Sequence, residues 1–278
     1  MKKGTLAIAT FLTLLEVSFA QPQQTPVHVP AVVTDLYDHY VAGLTPENFQ
    51  LFEDGIRQND VQVSMAGAPF SLAVILDTND GTFVRQALEA FTNSELCLIQ
   101  MTPEAKLAVP FTTNIGEIRD KLIVPTTGRQ YLLDAIHVAT TQLKNARNAR
   151  RAILIISDSR SLTFRFDQLE AMDAAAPLDV PVYVLNLWQP VRDGWYPFGP
   201  ALAKLTAGVA FDVGGADQAR SVAERIRMEL QNTYILRYRS SKAPQDGTYR
   251  QIRVEVQLNG RAMRLPVRHR AGYYANNQ

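Results

Sequence analysis

Cysteine is almost absent from this chain of 278 residues, which contains only Cys97. A single cysteine excludes both an internal disulfide and a zinc site built from several thiolates. The residues from Glu95 to Met101 are mostly apolar, which favours a small buried side chain over a reactive thiol at this position. The fold is therefore expected to rest on packing and hydrogen bonds.

The chain also has almost no net charge, because 28 lysines and arginines face 27 acidic residues. A chain with this balance has no long-range positive electrostatic field that would attract nucleic acid, so no nucleic-acid partner is predicted. The charges are unevenly placed, since twelve basic and only four acidic residues follow from Arg220 onward. A solvated arginine-rich face on strands accounts for this excess, and a basic docking patch is the alternative.

No apolar stretch has the roughly 20 residues that a transmembrane helix needs. The stretch from Leu6 to Val17 follows two lysines and precedes the small residues Ser18 and Ala20. This pattern predicts a signal peptide over residues 1–20 with cleavage after Ala20, and an uncleaved anchor is the weaker interpretation. The mature protein, with 26 basic and 26 acidic residues, is expected in the periplasm or outside the cell, without membrane insertion.

Catalytic motifs are missing as well. The chain has no Gly-x-Ser-x-Gly elbow, no Gly-x-x-x-x-Gly-Lys phosphate loop and no His-Glu-x-x-His. Its four histidines lie on different predicted elements, and Ser157 and Ser159 have no evident partner for nucleophilic catalysis. We therefore expect a protein that is not an enzyme, with no catalytic residues.

Two short runs of apolar β-formers each end in an aspartate. The first is SLAVILD, which ends at Asp77, and the second is AILIISD, which ends at Asp158. Such runs are typical of buried parallel strands, and ligands bind at the carboxyl ends of these strands. Helix-like and strand-like segments alternate from Ser71 to about Asn232, which predicts an α/β fold with a doubly wound, mostly parallel sheet.

The two flanks of this region are β-rich. The front flank, 27–68, contains an Asp-Gly turn signal at Asp54-Gly55, and the back flank, 233–276, contains an Asn-Gly signal at Asn259-Gly260. Each flank is too short to bury a comfortable core alone. We therefore expect the flanks to pair into one small β-sandwich around the α/β domain over 69–232, and two independent β appendages are the alternative.

Several stretches carry a resemblance to a known family. They are Val33-Thr34-Asp35, Gly43-Leu44-Thr45, Asn48-Phe49, Phe52-Glu53-Asp54-Gly55, the strand ending at Asp77, Leu133-Asp134-Ala135, Ile155-Ile156-Ser157-Asp158, Asp246-Gly247-Thr248-Tyr249-Arg250 and Ala271-Gly272-Tyr273-Tyr274. Together they cover nearly the whole mature chain, which resembles the exported bacterial VWFA-related proteins of the acidobacterial type. These proteins are built around a von Willebrand factor A domain.

The resemblance implies a six-stranded sheet of the A-domain type, which is Rossmann-like, with Asp77 and Asp158 on adjacent strands. It also implies a metal-ion-dependent adhesion site, in which an Asp-x-Ser-x-Ser loop, a threonine and another aspartate hold Mg²⁺ or another divalent cation. The cation keeps one coordination place for an acidic group of a protein partner. The tentative metal ligands in this chain are therefore Asp77, Asn79 and Asp158.

The chain departs from this pattern in each of the three loops. Asn79 and Gly81 replace the two serines, Gln130 aligns best with the threonine, and Arg160 follows Asp158 where the family usually has glycine and another acid. An amide oxygen can still bind a cation, but Mg²⁺ requires near-octahedral oxygen geometry, so the adhesion site is degenerate. Arg160 could instead pair with an aspartate and replace the cation, and Gln130 and Arg160 are therefore tentative ligand-binding residues.

Both tryptophans, Trp188 and Trp195, lie in a loop after the predicted strand that ends near Leu187. They are tentative ligand-binding residues because aromatic side chains often anchor interfaces, and a loop packed on its own side chains is an equal alternative. The expected function is an adhesion-type protein-binding module with an unidentified protein partner. The alternative is a structural or assembly component of the cell envelope that binds through its β-sandwich.

Overall fold

The computed structural model describes residues 26–64, 67, 69–102, 104–122, 129–158, 173–187, 198–242, 247–258 and 264–275. The chain begins with short strands of the front flank. They are β1 (Val27–Val33), β2 (Phe49–Glu53), β3 (Ile56–Arg57) and β4 (Gln62–Ser64). The Asp-Gly signal at residues 54 and 55 forms the β2–β3 turn, where both residues have positive φ.

The central unit, residues 70–232, is built on one sheet. Its strands are β5 (Phe70–Asp77), β6 (Glu95–Thr102), β7 (Glu104–Thr112), β8 (Arg150–Ser157), β9 (Val182–Leu187) and β10 (Ala210–Val213), in the order β10-β9-β8-β5-β6-β7. All neighbours are parallel except β6 and β7. The antiparallel β7 is an edge strand. Its exposed Pro110 fits there because proline has no N–H with which to form a hydrogen bond to a second neighbouring strand.

Helices cover both faces of this sheet. They are α1 (Gly81–Leu88), α2 (Ile115–Asp120), α3 (Arg129–Leu143), α4 (Phe198–Leu205) and α5 (Ala216–Asn232). On one face α1 and α5 contribute Phe83 and Ile226 to a buried cluster, and on the other α3 and α4 contribute Ile136 and Leu202. The sheet strands are apolar on both sides because helices bury both sides.

The back flank supplies β11 (Tyr234–Tyr238), β12 (Tyr249–Gln257), β13 (Arg264–Leu265), β14 (Val267–His269) and β15 (Gly272–Tyr274). One sheet has the order β14-β1-β11-β4, and the other has the order β13-β12-β2-β3 with β15 also paired to β12. Each sheet thus contains strands from both flanks. Their facing side chains form a third buried cluster, with Val29, Leu51, Leu236 and Val254 among its members.

The predicted fold class is confirmed: the chain has a von Willebrand factor A-like six-stranded sheet and a small β-sandwich made from its two flanks. Because both sheets of the sandwich contain strands from both flanks, the flanks do not form two independent β appendages. The back flank changes sheet at Pro266, so that β13 and β14 belong to different sheets.

Contacts also join the central unit to the sandwich. Arg268 of β14 forms an ion pair with the buried carboxylate of Glu229 on α5, and the Ala271 N–H donates to the Leu205 carbonyl at the end of α4, 3.2 Å away. Within the described ranges, no helix is both long enough and apolar enough to cross a bilayer.

Candidate functional site

The strand ends at the carboxyl side of the sheet bring the two aspartates together. β5 and β8 are adjacent and parallel, and Asp77 is the register partner of Ser157. Asp158 follows directly, and its N–H donates to the carbonyl of Asp77 at 3.3 Å. The two residues are 81 positions apart in the sequence and meet because parallel strands end at the same edge of the sheet.

A row of polar residues continues from Asp77 across four strands. Asp77, Ser157, Asn186 and Asp212 are register partners on β5, β8, β9 and β10, and we call this row the strand-tip edge. The Ser157 hydroxyl donates to Asp77 Oδ2 at 2.7 Å, and the Asn186 amide donates to Asp212 Oδ1 at 2.7 Å. The residues directly before them on the same strands, Leu76, Ile156, Leu185 and Phe211, are apolar.

Both aspartate side chains are buried, whereas the sequence predicts them on an open rim. Asp77 is 0% and Asp158 2% exposed. Besides the Ser157 hydrogen bond, the Thr78 hydroxyl donates to Asp158 Oδ2 at 3.3 Å. The two carboxylates are therefore not directly accessible to a partner, contrary to the expectation that they form an open binding rim.

The loop after β5 leads into α1 through a capped turn. The Asp80 side chain accepts hydrogen bonds from the N–H groups of Thr82 at 3.0 Å and Phe83 at 2.9 Å, which makes Asp80 the N-cap of α1. The Asp80 N–H donates to the Thr78 hydroxyl at 3.1 Å. The loop is thus held by its own hydrogen bonds, and Asp80 serves as a helix cap.

The described residues supply only part of the predicted Mg²⁺ site of the adhesion type. The candidate ligands Asp77 and Asp158 are buried and accept hydrogen bonds from serine and threonine, and Gly81 has no side-chain oxygen. Among the described residues there is no group of three or more His, Cys, Asp or Glu that could hold a metal ion. Asp77, Asn79 and Asp158 would leave the other places of a near-octahedral oxygen shell to water, and a divalent cation at this edge stays a prediction.

A positive charge lies close to Gly81. A Cβ atom placed on Gly81 would be 3.3 Å from Nη1 of Arg85 and 3.7 Å from its Cζ, so the guanidinium lies over this glycine. Arg85 is exposed, and it forms no hydrogen bond or ion pair with any residue that the structure describes. An exposed arginine side chain therefore lies next to the loop that follows Asp77.

Sequence reasoning missed Arg85. The signal that could have revealed it is its position four residues after Gly81, because residues i and i+4 share one face of a helix. A glycine at the first position of α1 leaves open the space that a serine side chain would take.

The structure locates the remaining predicted ligand-binding residues only in part. Gln130 is the second residue of α3, but its side chain is not among those described. Arg160, Trp188 and Trp195 lie outside the described residues. Their proposed roles remain predictions.

Comparison with known proteins bears on the segment that connects the two aspartates. Residues 79–160 match the family model described as von Willebrand factor type A domain. The match begins just after Asp77 and ends just after Asp158, so it spans the A-domain-like segment from the first strand tip to the second. No curated protein matches the chain.

Several solved structures resemble this A-like fold. BatB from Bacteroides thetaiotaomicron is 14% identical with a TM-score of 0.42, over 58% of this chain and 98% of that one. A von Willebrand factor type A protein from Catenulispora acidiphila is 6% identical with a TM-score of 0.48, over 91% and 75% of the two chains. An aerotolerance-related membrane protein from Bacteroides fragilis is 15% identical with a TM-score of 0.43, over 59% and 98%.

Proposed function

We propose that this chain is an exported, non-enzymatic protein-binding module of the adhesion type, and that its partner binds at the strand-tip edge of the A-like domain. The observation that carries this proposal is the exposed guanidinium of Arg85 over Gly81. An A-domain adhesion site offers a positive charge to an acidic group of its partner. In this chain Arg85 offers such a charge from a side chain.

An arginine suits this role for a physical reason. Its guanidinium can form two parallel hydrogen bonds to one carboxylate, and these charge-assisted bonds are stronger than neutral ones. Arg85 has no partner among the described residues that it would have to release first. We therefore propose that the edge binds an acidic group of the partner without requiring Mg²⁺ or another divalent cation.

The buried aspartates have a supporting role in this proposal. Asp77 and Asp158 hold the strand ends together through Ser157 and Thr78, and Asp80 fixes the start of α1. These contacts position the first turn of the helix that carries Arg85. A rigid support of this kind limits the conformational entropy lost on binding.

Export is proposed from the sequence of residues 1–20, and the absence of an enzymatic activity from the missing catalytic motifs. The buried carboxylates at the strand-tip edge accept hydrogen bonds from the hydroxyls of Ser157 and Thr78. This arrangement favours a structural role for them over proton transfer.

Reversal of the charge at Arg85 tests the proposal. The mature chain, immobilised as bait, is incubated with an envelope extract of the cells that produce it, and the recovered proteins are quantified by mass spectrometry. Arg85→Glu is expected to lower recovery of the specific partner more than about tenfold, because loss of a charged partner group at an interface costs about 2 to 5 kcal/mol.

The matched control is Arg57→Glu, which makes the same charge change at an exposed arginine on β3 of the sandwich. It is expected to leave recovery unchanged, as is an excess of EDTA added to the wild-type chain. Equal losses for both variants would indicate a general charge effect, and loss in EDTA would indicate a required cation. Either result would contradict the proposal.

A second candidate function, a structural component that binds through its β-sandwich, is supported by one observation. Leu36 and Tyr37 are 70% and 82% exposed at a turn after β1. Asp35 holds this turn by accepting hydrogen bonds from the N–H groups of Tyr37 at 2.8 Å and His39 at 2.9 Å. The test is a double variant that carries Leu36→Ser and Tyr37→Ser. If this variant no longer recovers the partner and Arg85→Glu still does, the second function is the correct one.

A further inference from the structure

A cavity of about 550 Å³ lies between the central unit and the β-sandwich. One wall is the end of α4, with Lys204 and Leu205, and the other wall consists of β12 and β14, with Arg253, Arg268 and His269. Because α4 leads into the parallel strand β10, this end of the helix lies toward the amino ends of the strands. The cavity is therefore separate from the strand-tip edge.

The charges in the cavity are of one sign. Lys204, Arg253 and Arg268 line it, and none of the lining residues that the structure describes is an aspartate or glutamate. Arg268 forms an ion pair with Glu229, and Arg253 with Glu255, both outside the lining. Lys204 is exposed and forms no hydrogen bond or ion pair with another described residue, so its charge is the uncompensated one.

His269 does not make this cavity a metal site. Its Nε2 accepts a hydrogen bond from the Val254 N–H at 3.2 Å, and its Nδ1 donates to the Arg270 carbonyl at 2.8 Å. These contacts use both ring nitrogens, and burial lowers the pKa of His269, which favours the neutral ring. The described lining of the cavity thus has positively charged side chains and no histidine nitrogen free to bind a metal.

The rest of the lining is largely apolar. Leu205 and Val267 are partly buried, Ala201, Ala271 and the buried Ile252 add apolar lining, and Gln251 is an exposed polar residue of the wall. Arg253 also stacks its guanidinium on the ring of Phe52, with Cζ 3.9 Å from the ring centroid, which holds this cation in place beside the apolar surface.

We propose that this cavity binds a small amphipathic anion, in which one carboxylate, sulfonate or phosphate group is attached to an apolar body. Lys204 binds the anionic group, Arg253 and Arg268 add positive potential, and Leu205 and Val267 contact the apolar part. The volume lies within the range of small-molecule sites. Because the walls come from both parts of the molecule, the ligand bridges α4 and the sandwich.

A fluorescence titration of the full mature chain with 1-anilinonaphthalene-8-sulfonate tests this inference. This probe has one sulfonate on an apolar body. We expect saturable binding of one molecule per chain, and Lys204→Met is expected to raise the dissociation constant about tenfold while it keeps most of the apolar stem. Lys106→Met, at an exposed lysine on the edge strand β7, is the matched control and should bind as the wild type does.

The uncharged probe N-phenyl-1-naphthylamine separates anion recognition from general apolar binding. It should bind the wild-type chain at least about tenfold more weakly than the sulfonate, and equally to the wild type and Lys204→Met. Equal affinities of the two probes for the wild type would overturn the proposal. Unchanged sulfonate affinity in Lys204→Met would overturn it as well.

Discussion

Glu53→Ala is expected to lower the free energy of unfolding by about 3 to 5 kcal/mol, because it removes a buried carboxylate that pairs with the buried Arg250 and accepts several hydrogen bonds. Glu53 is 0% exposed at the end of β2, and Arg250 of β12 is 2% exposed. The Arg250 Nη1 atom lies 3.3 Å from Glu53 Oε1. Removal of one member of such a pair costs more than the pair contributes, since the remaining charge stays out of water.

The carboxylate of Glu53 also organises the sandwich core. Its Oε2 accepts hydrogen bonds from the hydroxyls of Tyr238 at 2.6 Å and Tyr273 at 2.8 Å, and its Oε1 accepts one from Ser240 at 2.5 Å. Burial raises the pKa of both tyrosines, so both remain donors at neutral pH. Alanine would leave these hydroxyls without their acceptor, which adds to the loss.

Thermal melting measures this effect. For a protein of this size, 3 to 5 kcal/mol corresponds to a fall of about 6 to 20 °C in the melting temperature. Glu89→Ala is the control, because the pair of Glu89 with Arg220 is partly exposed and surface pairs contribute at most about 1 kcal/mol. If Glu53→Ala melted within 2 °C of the wild type, the buried network would not stabilise the fold as argued.

Gly208→Ala is expected to destabilise the central unit by about 3 kcal/mol or more. A Cβ atom on Gly208 would lie 1.8 Å from the carbonyl oxygen of Val182 in β9, far inside contact distance. Neither side can move easily, because the Gly208 N–H donates to the Ala203 carbonyl at 2.8 Å and the Val184 N–H donates to the Val209 carbonyl at 3.0 Å. Overpacking against fixed backbone forces strands and helices apart.

Urea denaturation measures this second effect, with Gly214→Ala as the matched control. The nearest atom to a Cβ on Gly214 is the Gln218 side-chain oxygen at 4.0 Å, so the control should change stability by no more than about 0.5 kcal/mol. Similar midpoints for Gly208→Ala and the wild type would show that α4 and β9 are packed less closely than described.

The central strands could be predicted from the sequence because both faces of the sheet are buried. Continuous apolar runs such as those ending at Asp77 and Asp158 are typical of such strands, and the rule that parallel strands end at one edge predicts their meeting. The sandwich also followed from a size argument, since neither flank can bury a core alone. The strands were predicted from local runs of apolar residues, and the sandwich was predicted from a general relation between chain length and buried surface.

The details of the site could not be predicted in the same way. Burial of Asp77 and Asp158 depends on Ser157 and Thr78, whose hydroxyls face the carboxylates only in the folded structure. The helical spacing places Arg85 on the same face as Gly81, but only the folded structure shows that its guanidinium lies over the glycine. Pro266 is different, because a proline within a strand pattern already indicates a break or an edge.

Site-directed photo-crosslinking tests most directly whether the partner binds at the edge that carries Arg85. A benzophenone amino acid is placed at Thr82, which is exposed in the first turn of α1, or at Tyr37, which is exposed on the sandwich turn. After irradiation in the native envelope extract, we expect a covalent adduct with the partner from position 82 and none from position 37. An adduct from position 37 alone would contradict the account and place the binding surface on the β-sandwich.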